Sequence, residues 1–290
     1  MMLDKSATRF YNFLRQTLRP LGQQRQQQGL SNRFEASLLH LYSTVEMMCS
    51  AFFDEDSVVA DPEWSQTMCT IASYVPLTVV EKTGVFDSIL ARLLRLKKQS
   101  GEWLHEIRLA PMEILQAPIG GGLESEPFNK YPSTENAPQS NKELGRRFVL
   151  EAWNLRQACQ EATPFLWTRN KDQPKPNTLY YHCSMILISR LFIDPLWALL
   201  DIDLPVLPQQ SVKEHALEAL RFAEWWLPTA KFGAVFAVPG LTAISLELNA
   251  LEQRQRVRRL FQLIADKGFA VASVAESDVA LAWSAVPCRF

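Results

Sequence analysis

The sequence has few residues in the patterns that hold metals or bridge thiols. Its five cysteines, Cys49, Cys69, Cys159, Cys183 and Cys288, are an odd number at wide, irregular spacings. No Cys-x-x-Cys pair occurs, and no Cys/His cluster has zinc-ligand spacing, so no metal site is expected. Three of the five fall inside apolar runs, where a free thiol behaves as a small hydrophobe. Reduced core thiols point to an intracellular protein, cytoplasmic or nuclear. The apolar core of a secretory signal is also missing from the N-terminus. Excess charge is lacking too: 30 basic against 31 acidic residues leave a net charge of −1. A DNA-binding domain carries a basic surplus, so no direct nucleic-acid partner is expected.

Catalytic fingerprints are equally scarce. There is no Walker or dinucleotide-binding motif, and no cofactor is expected. Gly120, Gly121 and Gly122 lack a Gly-x-Ser-x-Gly partner and read as flexible chain. Asp54-Glu55-Asp56 falls one carboxylate short of a diphosphate-binding magnesium motif, and Asp201-x-Asp203 beside prolines reads as a solvated turn. His105-Glu106 has no second His a turn away, and His40 and His215 show no metal spacing either.

Helical signals fill most of the chain. Hydrophobic residues make up 47% and charged residues 21%, which excludes wholesale disorder. The run from Leu179 to Phe192 is apolar on nearly every face and free of Gly and Pro. A helix of that kind belongs in the middle of a helical protein. It falls short of the ~20 apolar residues that cross a bilayer, so no membrane partner is expected. Other helices are predicted from Asn32 through Met48, after Asp61-Pro62, over Phe86 to Lys98 and over Trp103 to Gln116. Further ones should start at a Ser140/Glu143 capping box and at Ser211/Glu214. The last runs from Gln253 to Lys267, with Val257, Leu260, Phe261 and Ile264 as its buried stripe and Gly268 as its stop.

The fold class that follows is all-α, a multi-helix bundle around a central buried hydrophobic helix. Residues 1–30 read as a polar, partly helical extension with five basic side chains before Gly29. Residues 31–116 form an N-terminal helical half, and 117–141, with four prolines and three consecutive glycines, a flexible linker. Residues 142–290 form a C-terminal half packed on the first as one composite domain.

Two segments together resemble a known family. One is the central helix. The other starts at Phe236-Ala237-Val238-Pro239-Gly240-Leu241 and continues through Arg254 and Arg258-Arg259-Leu260-Phe261. It closes with Ile264, Gly268-Phe269-Ala270-Val271-Ala272 and Trp283. This pattern resembles the regulatory region of fungal zinc-cluster regulators, the middle homology region or fungal-specific transcription factor domain, over roughly the last 110 residues. Members of that family usually begin with a six-cysteine zinc cluster that reads DNA, and nothing here matches it. Either the sequence is the regulatory part alone or it is a stand-alone member that has lost DNA binding; Met1 at the start favours the second, a stand-alone member without a DNA-binding head. The resemblance implies a pathway regulator in secondary metabolism, partnered by a small apolar metabolite or by another transcription regulator. The alternative is an enzyme: a cofactor-free cyclase of Diels–Alder type, in which an apolar cavity holds a polyene and one or two donors stabilise charge.

For either role the candidate ligand-binding residues are Tyr180, Tyr181, His182, Met185, Trp225 and Trp226, with His182 and Tyr181 as catalytic candidates. Imidazole is the side chain best suited to exchange a proton near neutral pH, although a helical His among apolar neighbours is more often a hydrogen-bonded core residue. Adjacent residues on a helix point about 100° apart, so Trp225 and Trp226 cannot share one core layer. The arginines at 254, 256, 258 and 259 read as a solvated face.

Overall fold

The computed structural model describes residues 77–109, 137–163 and 177–285, together with Gln16 and Pro20, two helical positions near the start. Among these residues every regular element is helical and no strand occurs. In chain order the α-helices are α1 (Leu77–Leu109), α2 (Ala137–Glu161), α3 (Asn177–Arg190), α4 (Gln209–Trp226), α5 (Ala237–Ser245), α6 (Leu251–Asp266) and α7 (Val271–Ser284). Two 3₁₀ helices, Pro195–Leu200 and Phe232–Phe236, precede α4 and α5. None of the described helices is long and apolar enough to cross a membrane.

The apolar run becomes α3, and α3 is the spine. It packs against α1, α2, α4 and α5. Leu179, Cys183 and Ile188 are completely buried, and only Tyr181, His182, Leu187 and Arg190 keep partial exposure. Each fully buried aliphatic side chain contributes about 1.5–3 kcal/mol, so a helix greasy on all sides is held from all sides. It ends at Arg190, slightly ahead of the expected Phe192. The reason lies just beyond: Pro195 drives Asp194 into an extended conformation, where its carboxylate accepts the Leu196 N–H at 3.0 Å and starts the first 3₁₀ helix. Arg108, at the end of α1, pairs with the same carboxylate.

Three boundaries differ from those expected. The segments Phe86–Lys98 and Trp103–Gln116 are not separate, because α1 runs through Gly101 as far as Leu109. A helical glycine costs about 1 kcal/mol, less than the burial of the apolar face that continues across it. That face includes Leu96, Trp103 and Ile107. Helix α2 opens at Ala137, ahead of Ser140 and inside the stretch expected as loop, because Pro138 is tolerated in a first turn. Helix α4 opens at Gln209 rather than Ser211, since the Val212 N–H already reaches the Pro208 carbonyl at 3.1 Å.

Close helix crossings fix the arrangement. Trp103 lies 4.7 Å from Trp197 and 6.2 Å edge-on from Phe148, and its indole N–H donates to the Asn141 carbonyl at 2.8 Å. Gly145 of α2 faces that ring; a Cβ there would come within 2.5 Å of it. Where α5 crosses α3, a Cβ on Gly240 would meet Leu179 at 3.1 Å. On α4 the fully buried Ala216, Ala219 and Ala223 form a stripe of small side chains that lets α3 lie close.

Helices α5, α6 and α7 close into a unit around Trp283. Its indole N–H donates to the Ser245 carbonyl at 2.8 Å. Arg254, expected on a solvated face, is buried instead. Its guanidinium donates to the carbonyls of Leu248 and Trp283, both at 3.4 Å, and lies 5.2 Å over the Trp283 ring. Arg256 is also engaged, through a two-pronged pair with Glu224 at 2.7 and 2.6 Å, while Arg259 is exposed as expected. The predicted stripe Val257, Leu260, Phe261 and Ile264 is buried, and Gly268 takes the left-handed conformation, φ 95°, that stops α6. The helices expected before residue 77, Gly120–Gly122, and Cys49, Cys69 and Cys288 lie outside the described residues.

Candidate functional site

The seam between α3 and α4 carries the most chemically distinctive contact. His182 projects from α3 and His215 from α4, and their Nδ1 atoms stand 2.8 Å apart. The ring centroids are 5.1 Å apart with planes tilted by 55°. Two bare nitrogens would repel at that separation, and two protonated ones would clash. One Nδ1–H therefore donates and the other Nδ1 accepts, which gives the two rings opposite tautomers. The neighbouring Tyr181 sets its ring edge-on to both, at 5.0 Å from His182 and 5.9 Å from His215.

The surroundings hold the pair neutral. Burial, followed by the neighbouring His215, pushes His182 down to about 3. His215 is lowered as well, first by burial and then by the Arg156 guanidinium, with Glu214 pulling the other way. Burial raises the Tyr181 phenol, helped by nearby Cys159 and opposed by Arg156, so it stays protonated as a donor. Arg156 itself lies 5.3 Å over the Trp153 ring.

The thiols nearby are quiet. Cys159 is pushed up to about 12 by burial, against the pull of Arg92, and complete burial likewise raises Cys183. A thiol in that condition is a poor nucleophile. Both are free, as small core side chains. No group of three or more His, Cys, Asp or Glu among the described residues is arranged to hold a metal ion.

Of the residues singled out in the sequence, Tyr181 and His182 come together here. Tyr180 points elsewhere: its hydroxyl donates to the Phe236 carbonyl at 3.4 Å, tying α3 to the second 3₁₀ helix. Met185 is buried in the core, one turn along from His182. Trp225 is 48% exposed and Trp226 half-buried, stacked 5.8 Å from Phe222. Both tryptophans lie about 15 Å along α4 from His215, too far to share one site with the imidazoles. Their different exposures follow the 100° step expected of neighbours. Asp201 and Asp203 are exposed in a turn, and His105 is exposed on α1.

His215 is the residue that motif reading passed over. A signal was available. His215 lies three residues after Val212 and four before Ala219, so helical spacing puts it on the buried face of α4. No protein-family model, no curated protein and no solved structure matches the chain.

Proposed function

We propose that the chain is a helical sensor domain that holds a small, largely apolar molecule against Tyr181, His182 and His215, and that it regulates a pathway without touching DNA itself. One observation carries this reading: two neutral imidazoles and a protonated phenol meet at the α3–α4 seam, within reach of Arg156 and Glu214. Such a set can offer hydrogen bonds to a ligand carbonyl or hydroxyl while the surrounding side chains receive its apolar body. A ligand gripping both rings would tie α3 to α4 and bias the bundle toward one arrangement, which is what a sensor requires. Further support comes from the resemblance of α3 and residues 236–283 to the regulatory region of zinc-cluster regulators. The partner on that reading is a DNA-binding regulator.

The test is direct. Purified protein is extracted for co-purifying small molecules and titrated calorimetrically with a panel of apolar ketones and phenols. Binding should appear, and His215→Phe should weaken it about tenfold or more, the worth of one lost hydrogen bond to a buried partner. Absence of any co-purifying molecule together with a silent panel would count against the reading.

The same pair supports a second reading, cofactor-free cyclisation. A neutral N–H or phenol O–H directed at a carbonyl stabilises the charge that develops there during ring closure. Rate-accelerated cyclisation of a linear carbonyl-bearing polyene, lost in His182→Phe, would favour it over sensing.

A further inference from the structure

We infer that the outer ridge of α2 and the segment following the first 3₁₀ helix form a self-association surface, on which a second copy of this chain docks about a two-fold axis. Of the ten large apolar side chains exposed among the described residues, four belong to this region: Leu150 and Trp153 on α2, Leu199 and Val206 in the adjoining segment. Exposed apolar groups scattered singly are ordinary, whereas several together on one face mark an interaction surface. On α2, Arg146, Leu150, Trp153 and Arg156 follow one another at steps of four, three and three, which places them on one ridge. The neighbouring segment is held alongside at two points. The Leu200 side chain lies 3.0 Å from where a Cβ on Gly145 would stand, and the Trp153 indole N–H donates to the Asp203 carbonyl at 3.3 Å. Gly145 and Trp153 are about 12 Å apart along the helix, so the two rows run side by side for more than two turns.

Charge tells the two rows apart. Arg146 and Arg156 lie on the α2 row, Asp201 and Asp203 on the other, and none of the four makes an ion pair with a described residue. Arg146 is further unsatisfied, since its buried Nε has no hydrogen-bond partner among the described residues. A partner of one sign would be drawn to one row and repelled by the other. A second copy of the same surface meets no such conflict. Rotation by 180° about an axis lying between the rows and parallel to them sets the arginine row of each copy on the aspartate row of the other. Every favourable contact then occurs twice. Leu150 and Trp153 come against Leu199 and Val206 of the second copy, which supplies the apolar centre that a specific interface needs. With 30 basic and 31 acidic residues, the chain as a whole adds almost no net repulsion.

Trp153 is the anchor of this surface. It is 40% exposed, yet its ring is already fixed by the bond to Asp203 and by the Arg156 guanidinium 5.3 Å over its face. Little side-chain freedom is left to lose on docking, and tryptophan and arginine are the side chains that most often carry interface energy. No ligand at the α3–α4 seam is needed for the docking, although Arg156 stands near both places.

Sedimentation equilibrium of the full chain tests this, carried up to about 1 mM, the weak end of specific association. The mass should rise with concentration from 33.1 kDa toward twice that value. Arg146→Glu sets acid against acid at two symmetry-related places and should weaken the dimer about tenfold or more. An Asp201→Lys/Asp203→Lys double variant should do the same from the other row, with both variants keeping the wild-type helical signal in circular dichroism. Mixed in equal amounts, the two should associate again, because the introduced acid of one meets the introduced bases of the other while their unaltered rows still match. A wild type that stays at 33.1 kDa throughout would overturn the docking and leave the strip to a different partner. A dimer unchanged in both variants, or folded variants that stay apart when mixed, would put the contact on another face and overturn it equally.

Discussion

Arg254 and the His182–His215 pair are both polar groups set among apolar helices, and they answer the demands of burial in opposite ways. Arg254 cannot lose its charge, so its surroundings satisfy it with two backbone carbonyls and the face of Trp283. Every one of those partners is part of the scaffold, and the group is fixed. The histidines shed charge instead. They satisfy each other across 2.8 Å and leave their outer nitrogens without a described partner. The first arrangement locks α5, α6 and α7 together, whereas the second leaves hydrogen-bonding capacity at a helix seam. Polar groups fully engaged by backbone mark structure. Polar groups engaged only by each other mark a place where a ligand can enter the network.

That contrast can be broken or sharpened by substitution. The largest effect should come from Trp283→Ala, which removes a buried indole together with its bond to Ser245 and the ring beneath Arg254. Loss of about 3–5 kcal/mol in urea unfolding is expected, and the α3–α4 histidine signals should stay in place in the fraction that remains folded. Arg254→Met comes next, at about 2–4 kcal/mol, because it takes the guanidinium away from the Leu248 and Trp283 carbonyls and forfeits the ring contact. A loss under about 0.5 kcal/mol would return Arg254 to the solvated surface class.

The third effect concerns pH. An unperturbed imidazole titrates near 6.5, whereas His182 is held down to about 3 in the fold and His215 is lowered as well. Below pH 6.5 the unfolded chain therefore binds protons that the folded chain refuses. The contribution is fully present above 6.5 and is lost as pH falls toward about 3, with a slope of up to about 1.4 kcal/mol per pH unit for each proton. The groups nearest the pair, Tyr181, Arg156, Glu214 and Cys159, do not reverse this sign, since only Glu214 favours the charged imidazole. Urea midpoints at pH 7.5, 6.5 and 5.5, compared between wild type and a His182→Phe/His215→Phe double variant, isolate this part from other carboxylates. The wild type should decline more steeply.

Much of the architecture was legible before any coordinates. The unbroken apolar run announced α3 as the spine, and the stripe of Val257, Leu260, Phe261 and Ile264 ending at Gly268 defined α6 almost to the residue. Those features are local, because periodicity within one helix reports which of its faces is buried. The errors came where a local signal met a tertiary one. Phe86–Lys98 and Trp103–Gln116 read as two helices, yet the apolar face running past Gly101 to Trp103 and Ile107 carries α1 through. Arg254 reads as surface because its charge is visible in sequence and the carbonyls that receive it are not. The site was half legible for the same reason: His182 stood out on an apolar helix, but its partner lies 33 positions away on another. Burial of a face can be inferred from spacing. Which face of which neighbour it meets cannot.

The smallest expected effect bears most directly on the central claim, that His182 and His215 satisfy each other inside the seam. Replacing either one by Phe strands its partner and should destabilise by about 1–2 kcal/mol. Replacing both strands nothing, so a double-mutant cycle in urea should return a coupling of about 1 kcal/mol or more, with the double variant no less stable than the worse single. Strict additivity of the two single changes would contradict the contact and, with it, the sensor reading.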